Sequence, residues 1–292
     1  MRVLIIGLGS IAKKHMEVIV NLVPNTEFIA LRSSKHSITE KNIINISSIS
    51  EVTKPIDFCI ISNPTHLHYD AIKKAIKLNA PLFIEKPSLM NLEKSDELIN
   101  LINKSTLPTY VAFNLRFLPV IEFLKEYVNK LNILEVNIYA GSYLPDWRPK
   151  VDYRIVYSAS EEMGGGVHLD LIHEIDYATW LFGFPSESTS LTRKVSQLEI
   201  DSIDFASYHL LYTTKTVNIT LNYYRKTPKR SIEILTDEGV IYADLLNQKI
   251  TKDNGEILFS SDYSVLETYH KQMQYFLSFI NFLVNLLCTY SL

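Results

Sequence analysis

Glycine is scarce in this chain, at nine among 292 residues, against a usual share of about 7%. Five of the nine stand in two short runs, "GLG" at Gly7–Gly9 and "GGG" at Gly164–Gly166. Cysteine is scarcer still. Cys59 and Cys288 lie far apart, which excludes a disulfide scaffold. Cys59 sits in "DFCIIS", which reads as a buried strand with a reduced thiol. Neither sign of charge is in excess: 29 Lys and Arg face 32 Asp and Glu, for a net charge of -3. With no basic stripe, a nucleic-acid partner is set aside. Long apolar runs are missing as well. The N-terminal "MRVLIIGLGS" has four apolar residues before glycine, too few for a signal peptide, so a cytoplasmic, reducing setting is expected. The apolar end, "YFLSFINFLVNLLCTYSL", is interrupted by Ser278, Asn281 and Asn285 and falls short of the roughly 20 apolar residues of a membrane span. A helix packed on the body or on a partner subunit is expected there. There are no repeats, no low-complexity linker and no expected metal site.

What is present is an ordinary globular composition, 47% hydrophobic and 21% charged. Through about residue 115 the chain alternates strand and helix signals. "RVLIIG", "EFIALR", "NIINI", "IDFCIIS", "APLFIE" and "PTYVAF" read as strands. "SIAKKHMEVIVNLV", "HLHYDAIKKAIKLN" and "NLEKSDELINLIN" read as helices between them. This alternation predicts a parallel sheet covered on both faces. Beyond about residue 130 the pattern changes. "NILEVNIYAGSY" is a long strand, and "SIDFASYHLLYT", "TVNITLNYY", "RSIEILTDE" and "GVIYADL" alternate at hairpin-like spacing. They predict an open, mostly antiparallel sheet. The architecture expected is α/β: a doubly wound domain over residues 1–116 and an α+β domain over 117–292.

"GLGSIA", Gly7 to Ala12, is G-x-G-x-x-A between a predicted strand and a predicted helix. Gly7 allows the tight turn, and Gly9 lets a pyrophosphate approach the backbone. Ser10 and Ile11 open the helix, whose N-terminus attracts phosphate, and Ala12 permits close helix–strand packing. The second strand ends in "ALRSSKH". An NAD site usually carries an acid there; Arg32, Ser33, Ser34 and Lys35 instead favour the 2′-phosphate of NADP over NAD. "FIEKPS" places Glu85, Lys86 and Pro87 at the end of the fifth strand, where ligands bind in open α/β sheets.

These stretches, together with "SNPTHLH" (Ser62 to His68), "NLRFLP" (Asn114 to Pro119) and "GGGVHLDLIHEIDYATWLFG" (Gly164 to Gly183), resemble the Gfo/Idh/MocA family of NAD(P)-dependent oxidoreductases. The resemblance covers about two thirds of the chain. It implies a Rossmann domain and a second domain built on a large, mostly antiparallel sheet that commonly mediates homodimers or homotetramers. Sugars, polyols or nucleotide-linked sugars are the implied substrates. Carried over, Lys86, Asp170 and His173 surround the reacting hydroxyl. Residues three apart on a helix share a face, so Asp170 could orient the His173 ring or bond a substrate hydroxyl. His173 could move the hydroxyl proton, and Lys86 could polarise a developing oxyanion. The family more often spaces the acid and histidine four apart. Asp176 falls one turn further along, and His168 is a lesser candidate.

His15 and His68 match family positions near the cofactor. Asn63, Pro64, Thr65, His68, Glu85 and Asn114 are expected around the dinucleotide, and Arg116 toward the substrate. "GSYLPDWRPKVDYRIVYSAS" brings Trp147, Arg148, Tyr153 and Arg154 into one loop, suited to sugar stacking and anion binding. That loop resembles members in bacterial surface-sugar pathways and implies a nucleotide-activated sugar. Relatives commonly continue with another helix returning toward the Rossmann domain, so an altered C-terminus is expected. Two other functions fit the same resemblance: an NAD-dependent glycosidase, and a non-catalytic dinucleotide-binding sensor.

Overall fold

Four consecutive apolar residues in β1 (Arg2–Ile6) leave no polar face, so this strand has to be covered on both sides. In the computed structural model it is. The described residues are 1–32 and 43–289, with side chains described through 281. The first part runs β1, α1 (Ser10–Leu22), β2 (Glu27–Leu31), β3 (Ile43–Ile46), β4 (Phe58–Ile61), α2 (His68–Ala75), β5 (Leu82–Ile84), α3 (Ser95–Ser105) and β6 (Thr109–Val111). The six strands are parallel in the order β3-β2-β1-β4-β5-β6. Val3, Ile5, Phe28, Phe58, Ile60 and Phe83 fill the core on one face. Leu4, Ile6, Ile29, Cys59, Ile61 and Leu82 fill it on the other. The order reverses between β1 and β4, so the turns after these strands border the crevice where such sheets bind ligands.

The second part runs α4 (Pro119–Tyr127), β7 (Ile133–Tyr143), α5 (Val167–Asp170), α6 (His173–Phe182), β8 (Glu187–Arg193), β9 (Phe205–Leu211), β10 (Thr216–Asn222), β11 (Tyr224–Thr236), β12 (Gly239–Asp244), β13 (Lys249–Lys252), β14 (Ile257–Ser260) and α7 (Val265–Thr289). Its eight strands lie in the order β14-β13-β12-β11-β7-β10-β9-β8. Only the central β7–β10 pair is parallel. Period-two alternation sets the faces. Val136 and Ile138 stand opposite Ile234 and Ile232 and face the core. Asn137, Tyr139, Asn218 and Glu233 point the other way and line an open cavity of about 620 Å³. This is the α/β architecture expected, with three further strands, β8, β13 and β14.

By its internal contacts the chain divides into Met1–Ala112 with Tyr269–Leu292, and Phe113–Thr268. The division differs from a boundary at 116 chiefly at the C-terminus. Met273, Phe276 and Ile280 of α7 are buried in the core that holds Val3, Phe58 and Phe83, with the Phe276 ring edge-on to Phe58 and Phe83. The apolar stripe of α7 thus finds its cover in the Rossmann sheet. Among the described residues no helix is long and apolar enough to cross a membrane.

Candidate active site

The two glycines of "GLG" meet different demands. Gly7 has φ +99, and a Cβ built there would stand 2.2 Å from the Asn63 backbone nitrogen. Only glycine fits this left-handed turn packed against the turn after β4. A Cβ on Gly9 would meet nothing within 4 Å, so no packing inside the protein requires glycine there. Gly9 is the N-cap of α1 and supplies no capping side chain, which leaves the first N–H groups of the helix to an outside acceptor. An open backbone at an uncapped helix start fits a dinucleotide pyrophosphate. Gly9 and Ser10 are exposed and Ile11 is half-buried, while Ala12 is buried against the sheet. The Ser62 hydroxyl donates to Gly7 O at 2.9 Å and locks the two turns together.

At the end of β2, Arg32 is anchored through its backbone N–H to Ile46 O. Its Nη1 is buried without a hydrogen-bond acceptor among the described residues. Ser33, Ser34 and Lys35 lie outside the described residues.

The Glu85–Lys86–Pro87 turn is held by two buried histidines. His15 Nε2 lies 2.6 Å from Glu85 Oε1, and the second Glu85 oxygen accepts the Lys86 backbone N–H at 3.3 Å. His68 Nδ1 is 2.9 Å from Pro87 O, and its Nε2 is 2.8 Å from Asn63 O. Both His68 nitrogens face backbone carbonyls, and the neutral ring donates to one of them. Thr65 is buried, Pro64 is exposed, and Asn63 and Lys86 are half-buried.

Burial pulls the His68 pKa below the ordinary histidine value, against the two carbonyl contacts and the nearby Glu85 charge. The sign follows from linkage: as pH falls through about 6.5 the unfolded chain takes up the proton first, so stability present above that range is lost below it. Burial lowers His168 in the same sense. Melting temperature should fall between about pH 7.5 and 5.5, with a flatter slope in His68→Asn. An equal slope in the variant would refute the assignment.

The segment after the three glycines is not one helix. α5 ends at Asp170, Leu171 has φ -99 and ψ 33, and α6 starts at His173. The expected i, i+3 stacking of Asp170 and His173 on one continuous helix is corrected by this break. At Leu171 the backbone leaves the helical region, so the i, i+3 relation does not carry across it. The Asp170 carboxylate accepts from the Tyr157 hydroxyl at one oxygen and from the Tyr223 hydroxyl at the other, the latter at 2.5 Å. Burial, then the Asp170 charge, pushes both tyrosines above their usual pKa, so they stay donors. His173 is buried edge-on to Phe113, with ring centroids 5.8 Å apart. In α6, Glu174 is fully buried and faces Arg230 Nε of β11 at 2.7 Å, which ties the helix to the sheet.

Arg116, expected to reach substrate, forms a two-point pair with Asp176 at 2.8 and 2.5 Å. Its guanidinium also lies against the Phe113 and Trp180 rings. Burial pushes the Asp176 pKa up and Arg116 pulls it back, burial being the larger influence. Asn114 donates to the Thr268 hydroxyl at 2.7 Å. Trp147, Arg148 and Tyr153 do come together, lining a small pocket with Leu144, Val156 and Ser158. The Trp147 ring stands edge-on to Tyr223, so this loop adjoins the Asp170 cluster. Tyr157 and Tyr223 were not singled out in the sequence. Tyr157 falls inside the quoted loop, but nothing in its spacing points to Asp170. No group of three or more potential metal ligands occurs among the described residues.

A doubly wound sheet with this cradle, followed by an eight-stranded open sheet, defines a class of two-part dinucleotide-binding proteins. The match to known families narrows it. Residues 1–113 match the oxidoreductase family with an NAD-binding Rossmann fold, and residues 123–242 match the GFO/IDH/MocA C-terminal domain; the chain belongs to the Gfo/Idh/MocA family. It is 24% identical over 289 residues to myo-inositol 2-dehydrogenase of Thermotoga maritima, covering 92% of this chain and 84% of that one. Against three other curated relatives it spans only 38% to 62% of their length. The fold matches a solved levoglucosan dehydrogenase in complex with NADH and levoglucosan, with a TM-score of 0.78 and 16% identity, over 96% of this chain and 90% of that one. It also matches the WlbA dehydrogenase from Bordetella pertussis in complex with NADH and UDP-GlcNAcA, with a TM-score of 0.74 and 16% identity, over 94% and 83%.

Proposed function

We propose that the protein is an NAD(P)-dependent dehydrogenase or reductase acting on a secondary alcohol or ketone of a sugar, with nucleotide-activated sugars as the substrate class. The observation that carries this reading is the contrast between Gly7, packed too tightly for any side chain, and Gly9, open at an uncapped helix start. When bound, the dinucleotide supplies the hydride acceptor or donor.

This chain's residues supply the rest. Gly7, Gly9, Ser10 and Ile11 present backbone to the pyrophosphate. Lys86 polarises the oxygen on the reacting carbon and His173 takes or gives the hydroxyl proton, help worth about 100- to 10,000-fold. Asp170, held by two tyrosine hydroxyls, remains an acceptor for a substrate hydroxyl. Trp147, Arg148 and Tyr153 receive the sugar nucleotide, with Arg148 as the partner for a diphosphate. WlbA, whose solved complex holds UDP-GlcNAcA, is one neighbour with a nucleotide sugar bound, and levoglucosan dehydrogenase is one without. Cysteine usage supports a cytoplasmic setting. The polar open face of the eight-stranded sheet is assigned to a homodimer or homotetramer contact, which sedimentation would test.

Arg32 carries the cofactor preference. Its buried, unaccepted Nη1 suits a 2′-phosphate, so NADP is preferred over NAD. Arg32→Asp should lower the NADPH-to-NADH affinity ratio roughly tenfold or more, the worth of a charge-assisted hydrogen bond. An unchanged ratio by calorimetry would contradict it. The wider reading is tested by screening UDP-sugars, myo-inositol and levoglucosan for nicotinamide reduction. Dinucleotide binding without turnover on any of them would count against the dehydrogenase.

A further inference from the structure

An edge strand usually carries a device against pairing with another chain, such as shortness, a bulge, a proline or a lysine. The parallel sheet ends in short strands, β3 with four residues and β6 with three. β14, at one edge of the eight-stranded sheet, has four residues and a sheet partner, β13, against which the register shifts. β8, at the other edge, is built differently. Its seven residues, Glu187–Arg193, contain no proline or lysine and pair with β9 without a register shift. All seven are exposed. The backbone groups of such a strand that point away from its neighbour have no ladder partner.

The side chains of β8 match their own reverse. In "ESTSLTR" a two-fold axis at Ser190 sets Glu187 of one copy opposite Arg193 of the other, at both ends of the pair. Between them Ser188 meets Thr192, Thr189 meets Leu191, and Ser190 meets Ser190. Opposite charges and Ser/Thr pairs are cross-strand combinations that stabilise an antiparallel ladder. Among the described residues neither Glu187 nor Arg193 has an ion-pair partner within its own chain. Leu191 is 52% exposed, and Phe184 and Val195, which flank the strand, are 89% and 48% exposed. The same register brings the Phe184 end of one copy to the Val195 end of the other, so apolar surface is covered where the charges pair.

We propose that β8 pairs with β8 of a second copy of this chain, antiparallel about a two-fold axis at Ser190, and so joins two eight-stranded sheets edge to edge. The contact goes beyond the dehydrogenase reading and does not depend on it. It uses the edge and leaves the open face of the sheet to the contact assigned above.

Sedimentation equilibrium of the full chain tests it. E187R sets like charges opposite each other at both ends of the pair, and so does R193E. Each should raise the dissociation constant of this contact about tenfold or more, with melting temperature retained because both side chains are exposed. Each should therefore remove one level of assembly, whether the wild type is a dimer through β8 alone or a larger assembly that also uses the sheet face. The double variant E187R/R193E sets opposite charges face to face again and should return the constant toward the wild-type value. Ser190 meets only itself, so S190K and S190E should each associate weakly alone and form a one-to-one complex when mixed. These two variants keep the proposal refutable should a charge reversal fail to fold. A monomeric wild type, a constant unmoved by E187R and R193E, or a double variant no tighter than the singles overturns the proposal; the edge then takes a strand of another protein or stays open. NADH titration of the wild type is read separately. Its failure would sink the dinucleotide reading and leave the β8 comparison standing.

Discussion

Lys86→Ala should reduce turnover by about 100- to 10,000-fold while NADPH and NADH bind within a few-fold of wild type. The split between the two readouts is what gives the result its meaning. Lys86 is half-buried just after β5, and the Gly7–Ala12 turn proposed to hold the pyrophosphate is built without its side chain. Removing the ammonium therefore costs stabilisation of charge developing on oxygen and little ground-state binding. His173→Ala should fall in the same range with the same split. The double variant should lose much less than the product of the two, because residues that act on one proton transfer are not additive. Steady-state kinetics on whichever screened sugar turns over, with calorimetry alongside, checks all three variants. Near-normal turnover in both single variants would remove these residues from the chemistry.

The second large effect concerns the two glycines. Gly7→Ala places a methyl 2.2 Å from Asn63 N and 2.4 Å from Asn63 Cα at φ +99. Backbone on one side and a strained dihedral on the other leave no cheap relaxation. A loss of roughly 2–4 kcal/mol is expected, which lowers the melting temperature by several degrees in a chain of this size. Gly9→Ala should behave oppositely. Its Cβ enters open space at φ -95, so stability should be nearly unchanged while dinucleotide affinity drops, since the methyl stands where the pyrophosphate has to come close. Thermal melts and NADPH titrations of the two variants, side by side, separate a packing glycine from a ligand glycine. Equal losses of stability in both would refute the distinction.

The fold was legible in the sequence where local pattern and tertiary demand coincide. "RVLIIG" has to be covered on both faces wherever it lies, and "GLGSIA" directly after it has few other uses. The alternation in "TVNITLNYY" sets its inward face without reference to neighbours. What was not legible depends on residues far apart in the chain. The grip of Tyr157 and Tyr223 on Asp170 joins partners 13 and 53 positions away in the chain. The eighth strand, "ESTSLTR", is exposed at every residue, so no apolar alternation could announce it; backbone pairing to β9 holds it. The contacts of His68 with carbonyls from two separate turns are likewise not written in its motif. The membership of α7 with the first sheet follows from the fit of Phe276 between Phe58 and Phe83, which hydropathy alone cannot assign.

The Gly7–Ala12 turn is proposed to hold a dinucleotide and Arg32 to set its kind. Calorimetric titration of the purified chain with NADPH and with NADH tests it most directly. One dinucleotide per chain, with NADPH the tighter, is the predicted result. Saturation by neither would contradict the claim.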